Sequence, residues 1–404
     1  MPVDLATLFA AIPGPIPTAG DLAARLLTVD PHLEIEWDDE APRPVVRSSD
    51  LKNPWTVVVA DLNLLIAELG GSRQQHSGLT AADYAIGVNL PATHGDPITT
   101  FEQLVRILRT IAPGASAVVD VVAGVVHPAA WLHQVVLDGV PVPLDELYRV
   151  HLHKRGPNLW LHTRGLRRFG LQEIELPGLN SGEEGIASRL LQLAAHRALT
   201  RGPLTVGASL PIGENLRCTV VPWRYARDDL SRQGMAPGRR PPALTDDDLV
   251  LASWKPTSST TGAWESILPQ LRQLGDEPVL YLSDYETDRM EALARLRWTS
   301  FAALVSDLQS ASGWRFLAKF SVTAPQRTTR EHLWFEVHSA NPTGADATLV
   351  SEPTQPNGLS AGDRRHMSLQ QLTDFRVTGP LGVASPDNIT QLLAALRNHT
   401  SIEA

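Results

Sequence analysis

The stretch from residue 149 to residue 166 constrains the fold most, because it predicts two short strands joined by a tight turn. Apolar and polar residues alternate over Val150–His153 and again over Leu159–His162, the period-2 pattern of half-buried β-strands. Between them, Gly156-Pro157-Asn158 is strong turn chemistry, because Gly and Asn tolerate positive φ and Pro fixes its own φ. We therefore predict an antiparallel hairpin with Arg155–Asn158 as its loop.

The position of the loop sets the register of this hairpin. Residues of the two strands then face each other in four pairs: His151 with His162, Leu152 with Leu161, His153 with Trp160, and Lys154 with Leu159. One face carries the three histidines and the tryptophan, and the other carries the two central leucines. Directly opposed Cβ atoms lie roughly 4.5–5.5 Å apart, so His151 and His162 are close enough to share a proton, a water or a metal ion. A shift of one residue would break this arrangement.

Two explanations fit the histidine face. His151, His153 and His162 are candidate ligands for zinc or another divalent metal with a coordination position left open for water. In that reading Glu173 is the candidate general base and Arg164 holds an anionic substrate. The commoner explanation is a partly exposed sheet face on which the histidines stack with Trp160. No cysteine or carboxylate stands at the tight spacing of a zinc motif, which favours this second reading.

The function of the basic residues around the hairpin also has two interpretations. Lys154, Arg155, Arg164, Arg167 and Arg168 are candidates to hold a phosphate or a carboxylate. The commoner reading is solvated surface charge on a sheet edge, where charge discourages strand-to-strand aggregation.

Composition excludes several classes of protein. The net charge of −9 argues against nucleic-acid binding driven by bulk electrostatics. No apolar run approaches the ~18 residues that a membrane span requires. The single cysteine cannot form an internal disulfide, and the N-terminal residues lack the pattern of a secretory signal. We therefore expect a cytoplasmic protein that binds neither nucleic acid nor membranes.

The order of helix and strand patterns predicts an α+β fold with mostly antiparallel sheets and packed helices, in two domains. Residues 1–50 are rich in Pro, Asp and Ala and predict a helical and loop segment, with Asp21 capping a short helix. Residues 51–230 form an α+β domain that contains the hairpin. Residues 231–248, rich in Gly, Pro and charged residues, predict a linker, and residues 249–404 form a C-terminal α+β domain.

Two local signals are more specific. Thr99 and Glu102 have the spacing of a capping box, so a helix is expected to begin at Thr99. Cys218 lies in an apolar, strand-like run, which predicts a buried inert thiol. The sequence contains no phosphate-binding glycine loop, no nucleophile elbow and no His-Glu-x-x-His zinc motif.

The C-terminal part combines an aromatic residue near the end of a helix, a strand with Glu and Trp, a Gly-Asp turn and a closing acidic–aromatic pair. These features are carried by Trp298, Phe301, Phe320, Glu331-His332-Leu333-Trp334, Gly344, Pro353, Gly362-Asp363 and Asp374-Phe375. Over about residues 291–378 the pattern resembles the YegJ-like domain, a bacterial domain of unknown function whose usual closing pair is Asp-Trp. The run from Trp160 to Leu166 is similar to larger uncharacterised bacterial proteins that carry such a C-terminal domain.

The resemblance implies a bacterial protein without assigned catalytic residues or cofactor, from a setting of toxin immunity or defence. We therefore expect a protein that works by binding a protein partner. Its net negative charge suits a basic partner. The candidate binding residues are His151, His153, Trp160, His162 and Arg164. The alternative is a metal-dependent hydrolase built on the same hairpin, with a divalent metal such as zinc as its cofactor.

Overall fold

The computed structural model describes residues 5–29, 31–38, 45–48, 55–70, 72–75, 77–91, 96–154, 159–213, 216–232, 240–253, 265–273, 283–323, 330–354 and 358–400. Contacts divide the chain into a first compact unit, residues 1–137 and 142–283, and a second, residues 138–141 and 284–404. Helices pack on three mostly antiparallel sheets, which confirms the predicted α+β class. Among these residues no helix has the length and apolar character needed to cross a membrane.

The first sheet lies in the first unit and has the strand order β2-β3-β4-β5-β1-β6-β7. Its strands are β1 (Leu5–Ile12), β2 (Ile35–Asp38), β3 (Val45–Ser48), β4 (Thr56–Ala60), β5 (Tyr84–Pro91), β6 (Ala117–Asp120) and β7 (Val125–Pro128). The helices of this segment are α1 (Ala19–Val29), α2 (Leu62–Glu68), α3 (Ser77–Thr80), α4 (Pro97–Ile111) and α5 (Trp131–Gln134).

Strand β1 corrects the prediction that residues 1–50 form only a helix and loops. It pairs with β5 on one side and β6 on the other, inside the first sheet. Leu8, Phe9, Ala10 and Ala11 are all buried, so both faces of the strand are covered. A strand covered on both faces is apolar throughout and lacks the alternation by which strands are recognised.

The helix starts differ from the predicted ones by a few residues. Thr18 and Asp21 form a reciprocal pair, because the Thr18 hydroxyl accepts from the Asp21 N–H at 3.1 Å and the Asp21 carboxylate accepts from the Thr18 N–H at 3.0 Å. Thr18 is therefore the cap of α1 and Asp21 its first-turn partner. In α4 the cap is Asp96, which accepts from the Thr99 N–H at 3.0 Å, so the helix begins before Thr99.

The middle sheet, also in the first unit, has the order β11-β12-β13-β10-β9-β8. Its strands are β8 (Arg149–Lys154), β9 (Leu159–Arg164), β10 (Ile174–Leu179), β11 (Leu210–Pro211), β12 (Arg217–Pro222) and β13 (Leu249–Ser253). Its helices are α6 (Glu184–Arg201), α7 (Trp223–Arg232) and α8 (Leu268–Gln273). Strands β10 and β13 are parallel, and the other neighbours are antiparallel.

The predicted linker is structured where it is described. Residues 240–248 lie against the middle sheet, where Arg240 donates to buried Glu175 and Asp248 is only 1% exposed. Strand β13 follows directly and lies between β10 and β12. The two compact units therefore divide at Ser283 and Asp284, not within residues 231–248. The physical reason is that residues 240–248 supply two charged groups, Arg240 and Asp248, to the interior of the first unit.

The second unit contains the third sheet, with the order β17-β16-β15-β14-β18-β19. Its strands are β14 (Arg315–Thr323), β15 (Arg330–Asn341), β16 (Gly344–Leu349), β17 (Arg364–Ser368), β18 (Leu372–Gly379) and β19 (Gly382–Ala384). Its helices are α9 (Asp284–Leu308) and α10 (Ile389–Thr400). Trp298 and Phe301 of α9 stack with centroids 5.0 Å apart, and Phe301 lies 4.7 Å from Phe375, so these aromatic residues form the core.

Candidate functional site

The β8–β9 hairpin has the predicted register. His151 pairs with His162, Leu152 with Leu161, His153 with Trp160 and Lys154 with Leu159. The predicted loop, Arg155–Asn158, lies outside the described residues. The predicted pairing of the two strands is therefore confirmed.

The two opposed imidazoles stack and are each held by a backbone carbonyl. The ring centroids of His151 and His162 are 5.7 Å apart at an interplanar angle of 19°. Nε2 of His151 lies 2.7 Å from the Ala123 carbonyl oxygen, and Nδ1 of His162 lies 3.0 Å from the Thr163 carbonyl oxygen. Since a carbonyl only accepts, each of these ring nitrogens carries the proton. One nitrogen of each ring thus makes a hydrogen bond within the protein.

Both rings are neutral at pH 7. Burial lowers the pKa of His162 to about 4, and the positive charge of Arg164 adds to the effect, while the hydrogen bond to Thr163 opposes it. Burial also lowers the pKa of His151. Desolvation favours the uncharged form of an imidazole, so the pair does not act as a proton donor near neutral pH.

One of the two explanations of the histidine face requires His151, His153 and His162 to converge on a metal ion. Among the described residues, no group of three or more His, Cys, Asp or Glu side chains is arranged to hold a metal ion. His153 pairs with Trp160, one position further along the same face from the His151–His162 pair. A shared face of a hairpin brings side chains to neighbouring rows, but a tetrahedral metal site needs them to converge on one point.

A carboxylate continues the histidine row on the next strand. Glu175 pairs with His162 and is fully buried, where Oε2 accepts from Trp160 Nε1 at 2.9 Å. Arg240 donates from Nη2 to Glu175 Oε1 at 2.7 Å, and its guanidinium lies 4.4 Å from the ring centroid of Trp223. Burial raises the pKa of Glu175 to about 7, although Arg240 and Trp160 favour the carboxylate. Its arginine partner lies 65 residues away in the sequence, where no local pattern indicates the contact.

Glu173 lies in a different environment from the one predicted for a general base. Its carboxylate accepts from the Gly165 N–H at 2.9 Å, the Arg167 N–H at 3.2 Å and the Thr163 hydroxyl at 2.7 Å. Thr163 points to the opposite face of β9 from His162, because neighbouring side chains alternate. Burial raises the pKa of Glu173. The carboxylate thus closes the turn after β9 and does not meet the histidines.

Arg164 is packed beneath the turn between β6 and β7. Its Nη2 donates to the Val121 carbonyl at 3.2 Å. A Cβ on Gly124, whose φ is +70°, would lie 2.6 Å from Arg164 Nη1 and 3.3 Å from Cε1 of His151. The first sheet therefore covers the outer part of the histidine face, and Arg164 serves this contact instead of an open substrate site.

The sequence analysis did not predict two ion pairs, one fully buried and one with a partly exposed arginine. Arg168 and Asp120 are both completely buried, with Nη2 2.7 and 2.6 Å from the two carboxylate oxygens. Asp248 is also buried and binds the side chain of Arg167 and the N–H of Glu173. Both arginines had been read as surface charges, because their partners lie far away in the sequence. Cys218, in contrast, is buried as predicted, and burial raises its pKa to about 12.

An open cleft of about 680 Å³ lies on the first sheet beside α2. Its floor includes Phe9 and Val58, which flank Gly87 in register across three strands. Because Gly87 has no side chain, the ring of Phe9 lies directly over it, and a Cβ there would be 2.3 Å from Phe9 Cε1. Leu65 of α2 forms part of the wall, and Leu64 projects beside it with 66% of its surface exposed.

The polar groups of this cleft are acidic or amide groups. Asn89 is held by Thr7, whose hydroxyl donates to Asn89 Oδ1 at 2.8 Å. Asp61 caps α2 by accepting from the Asn63 N–H at 2.9 Å, and Glu68 is exposed at the end of the helix. None of the described residues that line the cleft is basic. An apolar floor with carboxylates at its rim suits an apolar group that has a positive charge next to it.

One part of the chain matches the model of a known protein family. Residues 148–254 match the model of the family described as protein of unknown function (DUF4026), C-terminal. The match begins next to β8 and ends after β13, so it coincides with the middle sheet. No curated protein and no solved structure matches the chain. A domain of unknown function is thus present, in the hairpin region, and the likeness of residues 291–378 to the YegJ-like domain stays a prediction.

Proposed function

We propose that this protein works by binding a protein partner, and that the cleft beside α2 is its binding site. The observation that carries the proposal is the combination of an open apolar floor with an exposed leucine, Leu64, at its edge. The partner offers a large apolar side chain to the cleft and a lysine or arginine next to it.

The apolar part of this interaction supplies its free energy. Burying a leucine side chain that was exposed contributes roughly 1.5–3 kcal/mol. A volume of about 680 Å³ lies within the range of pockets that accept sizeable apolar groups. Interface energies concentrate in a few side chains that enter such pockets, so one anchor residue on the partner is expected to dominate.

The charges supply selectivity for a basic partner. Asp61 and Glu68 border the cleft, and the whole chain carries a net charge of −9. Complementary charge raises the rate of encounter and disfavours acidic proteins. A bacterial toxin or another basic enzyme is the kind of partner that the resemblance of the C-terminal part suggests, in a cytoplasmic setting.

The hairpin supports a binding protein over a hydrolase. His151, His162 and Glu173 each use polar atoms in hydrogen bonds within the fold. These residues are also at least half buried. In this proposal His151 holds the middle sheet against the turn between β6 and β7, and Glu173 closes the turn after β9. The catalytic interpretation has no support from their geometry.

The test uses a library of random peptides displayed on phage and selected on the full chain. We expect enriched peptides to share an apolar residue with Lys or Arg beside it. Leu64→Asp should weaken the binding of these peptides by about tenfold or more, because the anchor contact is lost. Leu152→Asp, which makes the same change at an exposed leucine of β8, should leave it unchanged.

Two outcomes would count against the cleft. The first is enrichment of peptides without basic residues, or of none at all. The second is equal binding to the Leu64→Asp and Leu152→Asp variants. Higher salt should also weaken binding, since exposed charges are screened at high ionic strength.

A further inference from the structure

A second and smaller pocket lies between the end of α6 and β11. Strand β11 is the edge strand of the middle sheet opposite the hairpin. The volume of the pocket is about 190 Å³. Leu193 of α6 and Leu210 and Ile212 at β11 form apolar walls. This volume lies below the range of about 300–1,000 Å³ typical of sites for drug-sized ligands. The pocket therefore suits a small ligand.

The same pocket is positively charged. Arg197 and Arg201 both line it, four residues apart and hence on one side of α6. Like charges at this spacing repel each other and destabilise a helix. The end of the helix dipole offsets part of this repulsion, but it does not satisfy the N–H groups of a guanidinium.

Arg197 has unsatisfied hydrogen-bonding capacity. It is half-buried, and within the described part of the chain it makes no hydrogen bond or ion pair. Asp145, which is hydrogen-bonded to the pocket residue His196, is already engaged, because its Oδ1 lies 2.9 Å from His196 Nε2 and accepts from the Tyr148 hydroxyl at 2.9 Å. The Arg197 guanidinium lines the pocket without a partner among the described residues, so its N–H groups are free to hold an anion in charge-assisted hydrogen bonds.

We infer that this pocket binds a small aliphatic carboxylate, with the carboxylate on Arg197 and the hydrocarbon part against Leu210 and Ile212. The planar fork of arginine matches the two oxygens of a carboxylate. The apolar walls distinguish such a ligand from inorganic phosphate, which has no group to place there. This site is independent of the cleft beside α2.

Isovalerate is the probe, and its uncharged isostere isovaleramide is the matched comparison. Calorimetric titration of the full chain should give binding of isovalerate at least about tenfold tighter than that of the amide or of inorganic phosphate. A charge-assisted hydrogen bond contributes enough for such a ratio. Arg197→Gln should remove the preference for isovalerate over the amide.

Arg189→Gln is the control, because Arg189 is an exposed arginine of the same helix outside the pocket and its loss should leave binding unchanged. Arg197→Lys keeps the charge and should retain part of the affinity, which separates a loss of contact from a loss of fold. Equal binding of acid and amide, equal binding of phosphate, or full affinity in Arg197→Gln would each overturn the assignment.

Discussion

His162 and Glu175 face each other on neighbouring strands, and both are removed from water. Desolvation favours the neutral form of each group, so it lowers the pKa of the imidazole and raises that of the carboxyl group. The sequence supplied the residue types and the row that they share. Arg240, which donates to Glu175, lies 65 residues away in the sequence, so the burial of this pair was not readable locally.

The low pKa of His162 makes stability depend on pH. Unfolded, its imidazole takes up a proton near pH 6.5, but in the folded chain it stays neutral down to about pH 4. The contribution of neutral His162 to the free energy of unfolding is therefore fully present above pH 6.5 and is lost as the pH falls. The loss is about 2 kcal/mol between about pH 7 and about pH 5. In urea denaturation, the free energy of unfolding of His162→Gln should fall less over this pH range than that of the unchanged protein.

The control for this experiment is His133→Gln, which changes an exposed histidine of α5 in the same unit. Its stability should fall with pH as steeply as that of the unchanged protein. If His162→Gln has the same pH slope as the unchanged protein, the imidazole is charged in the folded state and the burial argument is wrong.

At the scale of elements, the hairpin and the turn between β6 and β7 depend on each other. The turn brings the carbonyl groups of Val121 and Ala123 to Arg164 and His151. It approaches this closely because Gly124 has no side chain and adopts a positive φ. The alternation of residues predicted β8 and β9, but no local pattern tells which distant turn covers them.

Gly124→Ala should destabilise the first unit more than Gly170→Ala does. Both glycines have φ near +70°, so both substitutions carry a backbone cost of roughly 1 kcal/mol. Only at position 124 does the new methyl group also displace Arg164 from the Val121 carbonyl, which adds about 1–2 kcal/mol. Chemical denaturation measures the difference. In an Arg164→Met background this difference should disappear, and its persistence would place its cause elsewhere.

At the scale of the whole molecule, the first unit is held together by charged groups that its two sheets share. Asp120 ends β6 of the first sheet, and Arg168 lies in the turn after β9 of the middle sheet. Arg240 and Asp248 bring a third segment to the same sheet. Pairs separated by tens of residues leave no periodic signal, which is why the stretch before β13 resembled a linker.

Removing one partner of the buried Asp120–Arg168 ion pair should lower the free energy of unfolding more than removing both partners does. Asp120→Ala leaves the Arg168 charge buried without its carboxylate and is expected to cost about 3–5 kcal/mol. The double variant Asp120→Ala Arg168→Met removes both charges and should be less destabilised than the single one. Guanidinium denaturation gives the two free energies of unfolding. A double variant that is less stable than Asp120→Ala would show that Arg168 acts through other contacts.

By itself the sequence determined the α+β class and the pairing of β8 with β9, because alternation, turn chemistry and capping residues act over a few positions. It also determined that Cys218 is an apolar buried residue. Tertiary structure alone decided that the three imidazoles do not converge, that Glu173 serves the opposite face, and that Arg168 is an interior cation. Those outcomes depend on which distant backbone and charge cover each side chain, and a one-dimensional pattern does not contain that information.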